Sequence, residues 1–337
     1  DYFKKKGMRT ASLGTMTRAM KEPDGRTIPK ETHIHAGRMC DTYGLFAVPG
    51  FKQKICPTSG VLLNQLFWVT MMELIEQYMK LTGGDIPGII EKLDYIKGLG
   101  ATCIWLTPVL DNQTEFLNSE GYHGYWPIDF YKVDEHLGDI KKLKELVKKA
   151  HKKGLKVILD LPLNHIAWEH PWVRDPEKKD WLHHKGEIKD WNDPEWLEKG
   201  SLFGLPDLAQ ENPQVANYLI EMAKWWIDNT GIDGFRLDAV KHIPPKFWQD
   251  FCRAIKEKAG PDFLLIGEDM HGDPKHLTTY QKVRMTSLFD MPLYFTLVDT
   301  FAREGDMKLL AARIKETNEL YDNPSEMSAI LDNHDFS

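Results

Sequence analysis

The chain has little cysteine: four residues in 337 (Cys40, Cys56, Cys103 and Cys252), with no Cys-x-x-Cys pair and no zinc-ligand spacing. A metal-thiolate or dithiol chemistry is therefore excluded, and Cys103 and Cys252, in apolar surroundings, read as core residues. No apolar run approaches the roughly 20 residues that span a bilayer, so no membrane partner is expected. The N-terminus, Asp1-Tyr2-Phe3-Lys4-Lys5-Lys6, lacks the apolar stretch of a signal peptide. An excess of positive charge is lacking too: 43 Lys and Arg against 50 Asp and Glu give a net charge of −7. That balance argues against a nucleic-acid partner engaged through a basic face. What is present is length and apolar content, 42% hydrophobic, enough for one large or two ordinary domains. A single α/β barrel of about 250 residues plus extra segments fits.

From about residue 83 onward, short apolar runs alternate with longer amphipathic stretches. Helices are predicted at 89–99, 140–152, 214–229, 246–258 and 307–321, and strands at 102–106, 157–159, 234–237, 263–266, 287–289 and 328–331. This rhythm implies parallel strands, in a barrel or an open doubly wound sheet, and periodicity alone does not choose between them. Residues 1–60 mix glycine, threonine, proline and charge without a clear period, and no element is assigned there. A long aperiodic excursion between Asn164 and Pro206, rich in Trp, His, Asp and Lys, reads as a functional loop or small subdomain.

Acids stand where the predicted strands end: Asp160, Asp238, Glu268, Asp332 and Asp335. In parallel α/β folds the strand C-termini face the active site, so these carboxylates converge on one mouth. One such acid alone reads as a cap or a solvated loop residue, but several in the same register do not. Convergent carboxylates suit divalent-metal catalysis or glycoside cleavage. His165, His242 and His334 lie within a few residues of Asp160, Asp238 and Asp335. Arg236, two before Asp238 in a strand, shares its face and holds it ionised, as a nucleophile requires. Glu268 has no basic neighbour in its own strand and is suited to carry a proton. Tyr122, Tyr125, Trp126 and Tyr131 cluster after the 102–106 strand, and read equally as core packing or as flat rings for sugar faces.

At this point the residues resemble a known family. Asp160-Leu-Pro-Leu-Asn164-His165, Gly234-Phe-Arg-Leu-Asp-Ala-Val-Lys-His242, Gly267-Glu268 and Asn333-His334-Asp335 resemble the four sequence regions of the α-amylase superfamily, glycoside hydrolase family 13, in its order. Leu205-Pro-Asp-Leu208 resembles a fifth region, and Gly121-Tyr-His-Gly-Tyr-Trp-Pro-Ile-Asp-Phe-Tyr131 the segment after the second barrel strand. The resemblance covers about residues 83–337. It implies a TIM-type (β/α)8 barrel over 61–164 and 207–337, with a short B domain, 165–206, inserted after the third strand.

The resemblance also implies roles. Asp238 matches the nucleophile, Glu268 the general acid/base and Asp335 the stabiliser of the transition state. Arg236, His165 and His334 match residues that grip the sugar at the cleavage point, and Tyr125 the ring that stacks beneath it. Asn164, Asp207 and the main-chain carbonyl of His242 match ligands of a structural calcium, a hard cation that suits oxygen donors. Lys241 and His242 resemble residues of enzymes acting on α-1,4-linked maltooligosaccharides, with lysine contacting the sugar beyond the cleavage point. The implied activity is a retaining α-amylase-type glycosidase acting on α-glucans in starch degradation, in an extracellular setting. Cyclomaltodextrinase, neopullulanase and glucanotransferase activities of the same superfamily stay open. A non-catalytic carbohydrate-binding relative would lose acids that are all present here. A metal-dependent hydrolase would want a His-x-His on one strand, and no predicted strand carries one.

Two departures accompany the resemblance. The chain stops two residues after Asp335, so an incomplete barrel is expected, with the last β/α unit absent. Residues 62–67 resemble the family's first strand, but 71–80 reads as a helix instead of the loop usual there. A one-nucleotide frame change over 68–82 would restore such a loop, which the underlying DNA decides.

Overall fold

Asp85 opens the described part by capping α1 (Ile86–Gly98): its carboxylate accepts from the Gly88 N–H at 2.8 Å, and Pro87 occupies the first turn. Ile86, Ile89, Leu93 and Ile96 form the buried stripe of that helix. The computed structural model describes residues 85–116, 119–121, 123–330 and 335. Residues 1–84, with the expected features at 62–67 and 71–80, fall outside the described residues, as do Tyr122 and His334.

After α1 the chain enters β1 (Cys103–Leu106) and then β2 (Leu110–Asn112). A two-residue hairpin, β3 (Glu115–Phe116) and β4 (Ser119–Glu120), leads to β5 (Pro127–Val133), which pairs antiparallel with β2. The amphipathic α2 (Ile140–Lys152) follows, capped by Asp139, and buries Leu143, Leu146, Val147 and Ala150. Then comes β6 (Lys156–Leu161), whose last five residues are buried, as a strand covered on both faces should be. Beyond the excursion, with its short α3 (Pro194–Lys199), lie α4 (Pro213–Thr230) and β7 (Gly234–Leu237), then α5 (Pro245–Ala259) and β8 (Leu264–Gly267). The described part ends with α6 (Pro274–Gln281), β9 (Ser287–Leu288), α7 (Met291–Leu297) and α8 (Met307–Leu320).

Five strands form one parallel sheet in the order β1-β6-β7-β8-β9, each bonded to the next in sequence among its members. This register fixes the site: Arg236 on β7 lies opposite Asp160 on β6 and Ile266 on β8. Gly234 is required for that approach, because a Cβ there would meet the Leu264 Cβ and carbonyl oxygen at 2.5 Å. One continuous apolar core joins helices and sheet, including Phe130, Leu159, Trp226, Phe235, Trp248 and Leu265.

Within the expected strand at 328–331 the described residues form a single parallel bridge, between Ser328 and Phe289; residues 331–334 are not among those described. Cys252 is buried, whereas Cys103 is half-buried and not a core residue. The excursion from 162 to 212 returns onto the end of β6, through bridges His165–Asp207 and Leu182–Leu208 and the bond from the Leu208 N–H to the Asn164 carbonyl at 2.9 Å. Trp172 and Trp181 of the excursion pack edge-on against Tyr218 of α4. Among the described residues no helix is long and apolar enough to cross a membrane.

Candidate active site

Three acids meet at the C-terminal ends of β6, β7 and β8 because the parallel register brings those ends side by side. Asp160 is the last but one residue of β6, Asp238 follows β7 and Glu268 follows β8. Arg236, almost fully buried, joins them. Its Nη1 donates to both Asp160 oxygens at 3.0 and 3.1 Å and to Asp238 Oδ1, while Nη2 lies 3.6 Å from Glu268 Oε2. The cation that Glu268 lacks on its own strand thus reaches it from β7.

Asp160 is the hub of the aromatic side. Its Oδ2 accepts from the Tyr125 hydroxyl at 2.8 Å and from Trp105 Nε1 at 3.1 Å. Trp105 and Tyr125 also lie against the guanidinium, with ring centroids 5.2 and 6.0 Å from its central carbon. Burial pushes the Asp160 carboxyl up, and Arg236 and the Tyr125 hydroxyl pull it back. Sequence alone places Asp160 among the strand-end acids without a role, and Trp105 inside a strand. The signal available for both was the two-residue period of β1 and β6, which turns each toward the same face.

Glu268 sits in a drier place. Burial raises its carboxyl to about 7, opposed by Arg236 and reinforced by the negative charges of Asp238 and Asp335. Its Oε2 accepts from the Ala239 N–H at 3.0 Å, and Ala239 itself adopts the left-handed conformation, φ 51°. Asp335 is exposed, and its charge acts on both Glu268 and Tyr125. The two carboxylates Asp238 and Glu268 therefore differ in setting: one is bonded to a guanidinium, the other is buried and inclined to hold a proton.

Of the residues expected to bind substrate, Tyr125, His165, Arg236, Lys241 and His242 are among those described, and His334 is not. His165 is buried, which lowers its pKa, and its Nε2 meets the Tyr125 carbonyl at 2.9 Å, holding the chain that carries Tyr125. Lys241 donates to the Met270 carbonyl at 2.7 Å, and its ammonium lies 6.0 Å from the Trp191 ring. His242, lowered to about 4 by burial, binds the Leu197 carbonyl at 3.0 Å through Nδ1 and meets the edge of Trp191. Trp191, half exposed on the excursion, was hidden in an aperiodic stretch that offers no signal of where it folds.

Asn164 and Asp207 do come together: Asn164 Nδ2 donates to Asp207 Oδ1 at 3.0 Å, and Asp207 Oδ2 pairs with His183 at 2.7 Å. Asn164 Oδ1 is buried with no hydrogen-bond partner, beside a buried carboxylate. That orphaned oxygen and the all-oxygen donor set fit a hard cation. Among the described residues no cluster of three or more His, Cys, Asp or Glu could hold a metal, so a cation here would need amide and main-chain oxygens beside the Asp207 carboxylate.

Residues 52–337 match the family model described as alpha amylase, catalytic domain. The chain is 41% identical over 261 residues to a beta/alpha-amylase of Paenibacillus polymyxa, covering 75% of this chain and 21% of that protein. It is 36% identical over 243 residues to a cyclomaltodextrinase of Thermoanaerobacter pseudethanolicus, covering 68% and 39%. In structure it resembles the α-amylase of Geobacillus thermoleovorans crystallised with acarbose, with TM-score 0.70 and 49% identity, over 75% of this chain and 56% of that one. The chain thus spans between a fifth and little more than half of the length of these relatives.

Proposed function

Because the chain belongs to the α-amylase catalytic-domain family, we propose that it is a retaining glycosidase that cleaves α-1,4-glucosidic bonds in starch and maltooligosaccharides. The observation that carries this reading is the contrast between Asp238, bonded to Arg236, and Glu268, buried and raised to about 7, within one guanidinium's reach.

Asp238 attacks the anomeric carbon as the glycosidic C–O bond breaks, and Glu268 gives its proton to the departing oxygen. Glu268, now a carboxylate, takes a proton from the incoming water, which displaces Asp238 from the sugar. Arg236 holds the Asp238 carboxylate in place by a charge-assisted hydrogen bond, and Asp335 supports the positive charge that develops on the ring. Tyr125, fixed by its bond to Asp160, offers a flat face below the sugar, and His165, Lys241, His242 and His334 complete its grip. A calcium ion would be held by Asn164, Asp207 and the His242 carbonyl, and would tie the excursion to the sheet without entering the reaction.

The domain assignment follows the same reading: a catalytic (β/α)8 barrel over 61–164 and 207–337, with residues 165–206 as the inserted B domain. An extracellular setting suits a polymeric glucan. The test is release of reducing ends from starch, with Asp238→Asn and Glu268→Gln as controls and the product anomer followed by NMR. Absence of cleavage, variants as active as the parent, or an inverted product would each sink the proposal. Running pullulan and cyclodextrins alongside separates α-amylase from cyclomaltodextrinase and transferase activity.

A further inference from the structure

The segment that follows Glu268 carries a buried acid that the proposed reaction does not use. Asp269 is fully buried, and neither of its carboxylate oxygens has a hydrogen-bond partner. His276, on α6, brings its Nε2 to 3.2 Å from Asp269 Oδ2, but off the line a hydrogen bond needs, so that nitrogen is unsatisfied as well. His271 stacks on His276 with ring centroids 4.0 Å apart. The segment is further drawn in by the bond from the His271 N–H to the Asp269 carbonyl at 2.8 Å, and from the Asp273 N–H to His271 Nδ1 at 3.1 Å. Between these ties lies Met270, whose carbonyl receives the Lys241 ammonium at 2.7 Å.

An unsatisfied buried carboxylate is costly, and an apolar residue would fill the same space without that cost. Where a local rule is broken beside a reactive group, a functional reason is the first to examine. On the glycosidase reading Lys241 contacts the sugar beyond the cleaved bond, and the segment after Glu268 reaches Lys241 through the Met270 carbonyl. We propose that Asp269 and His276 are positioning residues: their contact anchors residues 269–276, so that the Met270 carbonyl sets Lys241 against the first sugars beyond the cleaved bond. The inference rests on the glycosidase reading for the identity of the ligand, but its test does not depend on turnover.

In a Glu268→Gln background, binding of maltoheptaose is measured by calorimetry. Adding Asp269→Asn is expected to weaken binding about fivefold, the worth of one modest polar contact. Lys241→Ala should weaken it comparably, and the two together no more than Lys241→Ala alone, because both remove the same contact. In the parent, Asp269→Asn should raise KM for short maltooligosaccharides with kcat changed less than about twofold, a split that general loosening of the fold would not produce. If Asp269→Asn fails to fold, His276→Gln severs the same tie from a partly exposed ring. An Asp269 effect that adds in full to Lys241→Ala, or no effect at all, overturns the proposal, as does an absence of maltoheptaose binding. A parent that binds but does not cleave, with the coupling present, would leave this proposal standing and remove the hydrolase reading.

Discussion

Arg236 and Asp160 face each other across neighbouring parallel strands, and one guanidinium nitrogen serves both oxygens of the carboxylate while also reaching Asp238. Both side chains are essentially buried. Removing one partner of a buried pair costs about 3–5 kcal/mol when the other charge is left uncompensated. Asp160→Ala leaves Arg236 with Asp238 and Glu268 as partners, so it is expected to lower unfolding stability by less than that and to remove the bond that holds the Tyr125 hydroxyl. Arg236→Lys keeps a charge but loses the fork that spans three carboxylates, and should cut kcat by about 100-fold or more. Chemical denaturation and steady-state kinetics check the two; full activity in Arg236→Lys would contradict the role given to the guanidinium.

In the proposed mechanism Glu268 sets the alkaline side of the pH profile. Burial raises its carboxyl from the ordinary 4.5 to about 7, so the proton needed by the departing oxygen is lost as pH rises through about 7. The expected kcat/KM falls on that limb. The same shift bears on stability. A carboxyl whose folded pKa is raised favours the folded state fully below the unfolded value, and that contribution is lost as pH rises through the folded one. Relative to Glu268→Gln, the parent should therefore lose stability between about pH 4.5 and 7. Parallel denaturation curves for the two proteins across that window would refute the assignment.

Ala239 connects backbone conformation to the acid. Its N–H donates to Glu268 Oε2 at 3.0 Å directly after Asp238, and its φ of 51° turns the following chain back across the end of β7. A β-branched residue tolerates that region poorly, so Ala239→Val should cost about 1–3 kcal/mol and disturb Glu268. Ala239→Gly should be tolerated and retain activity, since glycine enters this region without strain. Thermal melts of both variants decide it, the reverse order being incompatible with a backbone cause.

Much of the sheet was legible in sequence because a buried parallel strand and an amphipathic helix each leave a simple pattern. The expected bounds of β7 and α2 match the structure, and α4, α5 and α8 agree within one residue at each end. The antiparallel β2–β5 pair was not legible: its register is irregular, and β5 buries Pro127, Phe130 and Val133, a spacing of three rather than two. The short α3 and α6 were missed although Asp193-Pro194 and Asp273-Pro274 spell a capping residue followed by a first-turn proline, the one local signal they carry. In the site, Asp238 and Glu268 stood out at strand ends. The bonds that give them different settings cross between strands, and only the register reveals that Arg236 reaches Asp160 and Glu268.

The Asn164–Asp207 contact predicts a response to calcium. Asn164 Oδ1 is buried and unsatisfied beside Asp207, whose carboxyl burial raises to about 7 even though His183 opposes the shift. A cation bound only by the folded state would relieve both groups, and at 100 times its dissociation constant would stabilise by about 2.7 kcal/mol. In a domain of this size that corresponds to a rise in Tm of roughly 5–10 °C over the chelated protein. Asn164→Ala should remove most of the difference while melting like the chelated parent. The decisive comparison is thermal unfolding of parent and variant with added calcium and with a chelator. Identical melting of the parent in both conditions would mean that the orphaned oxygen serves no cation, and that the excursion is held by His183 and its own hydrogen bonds.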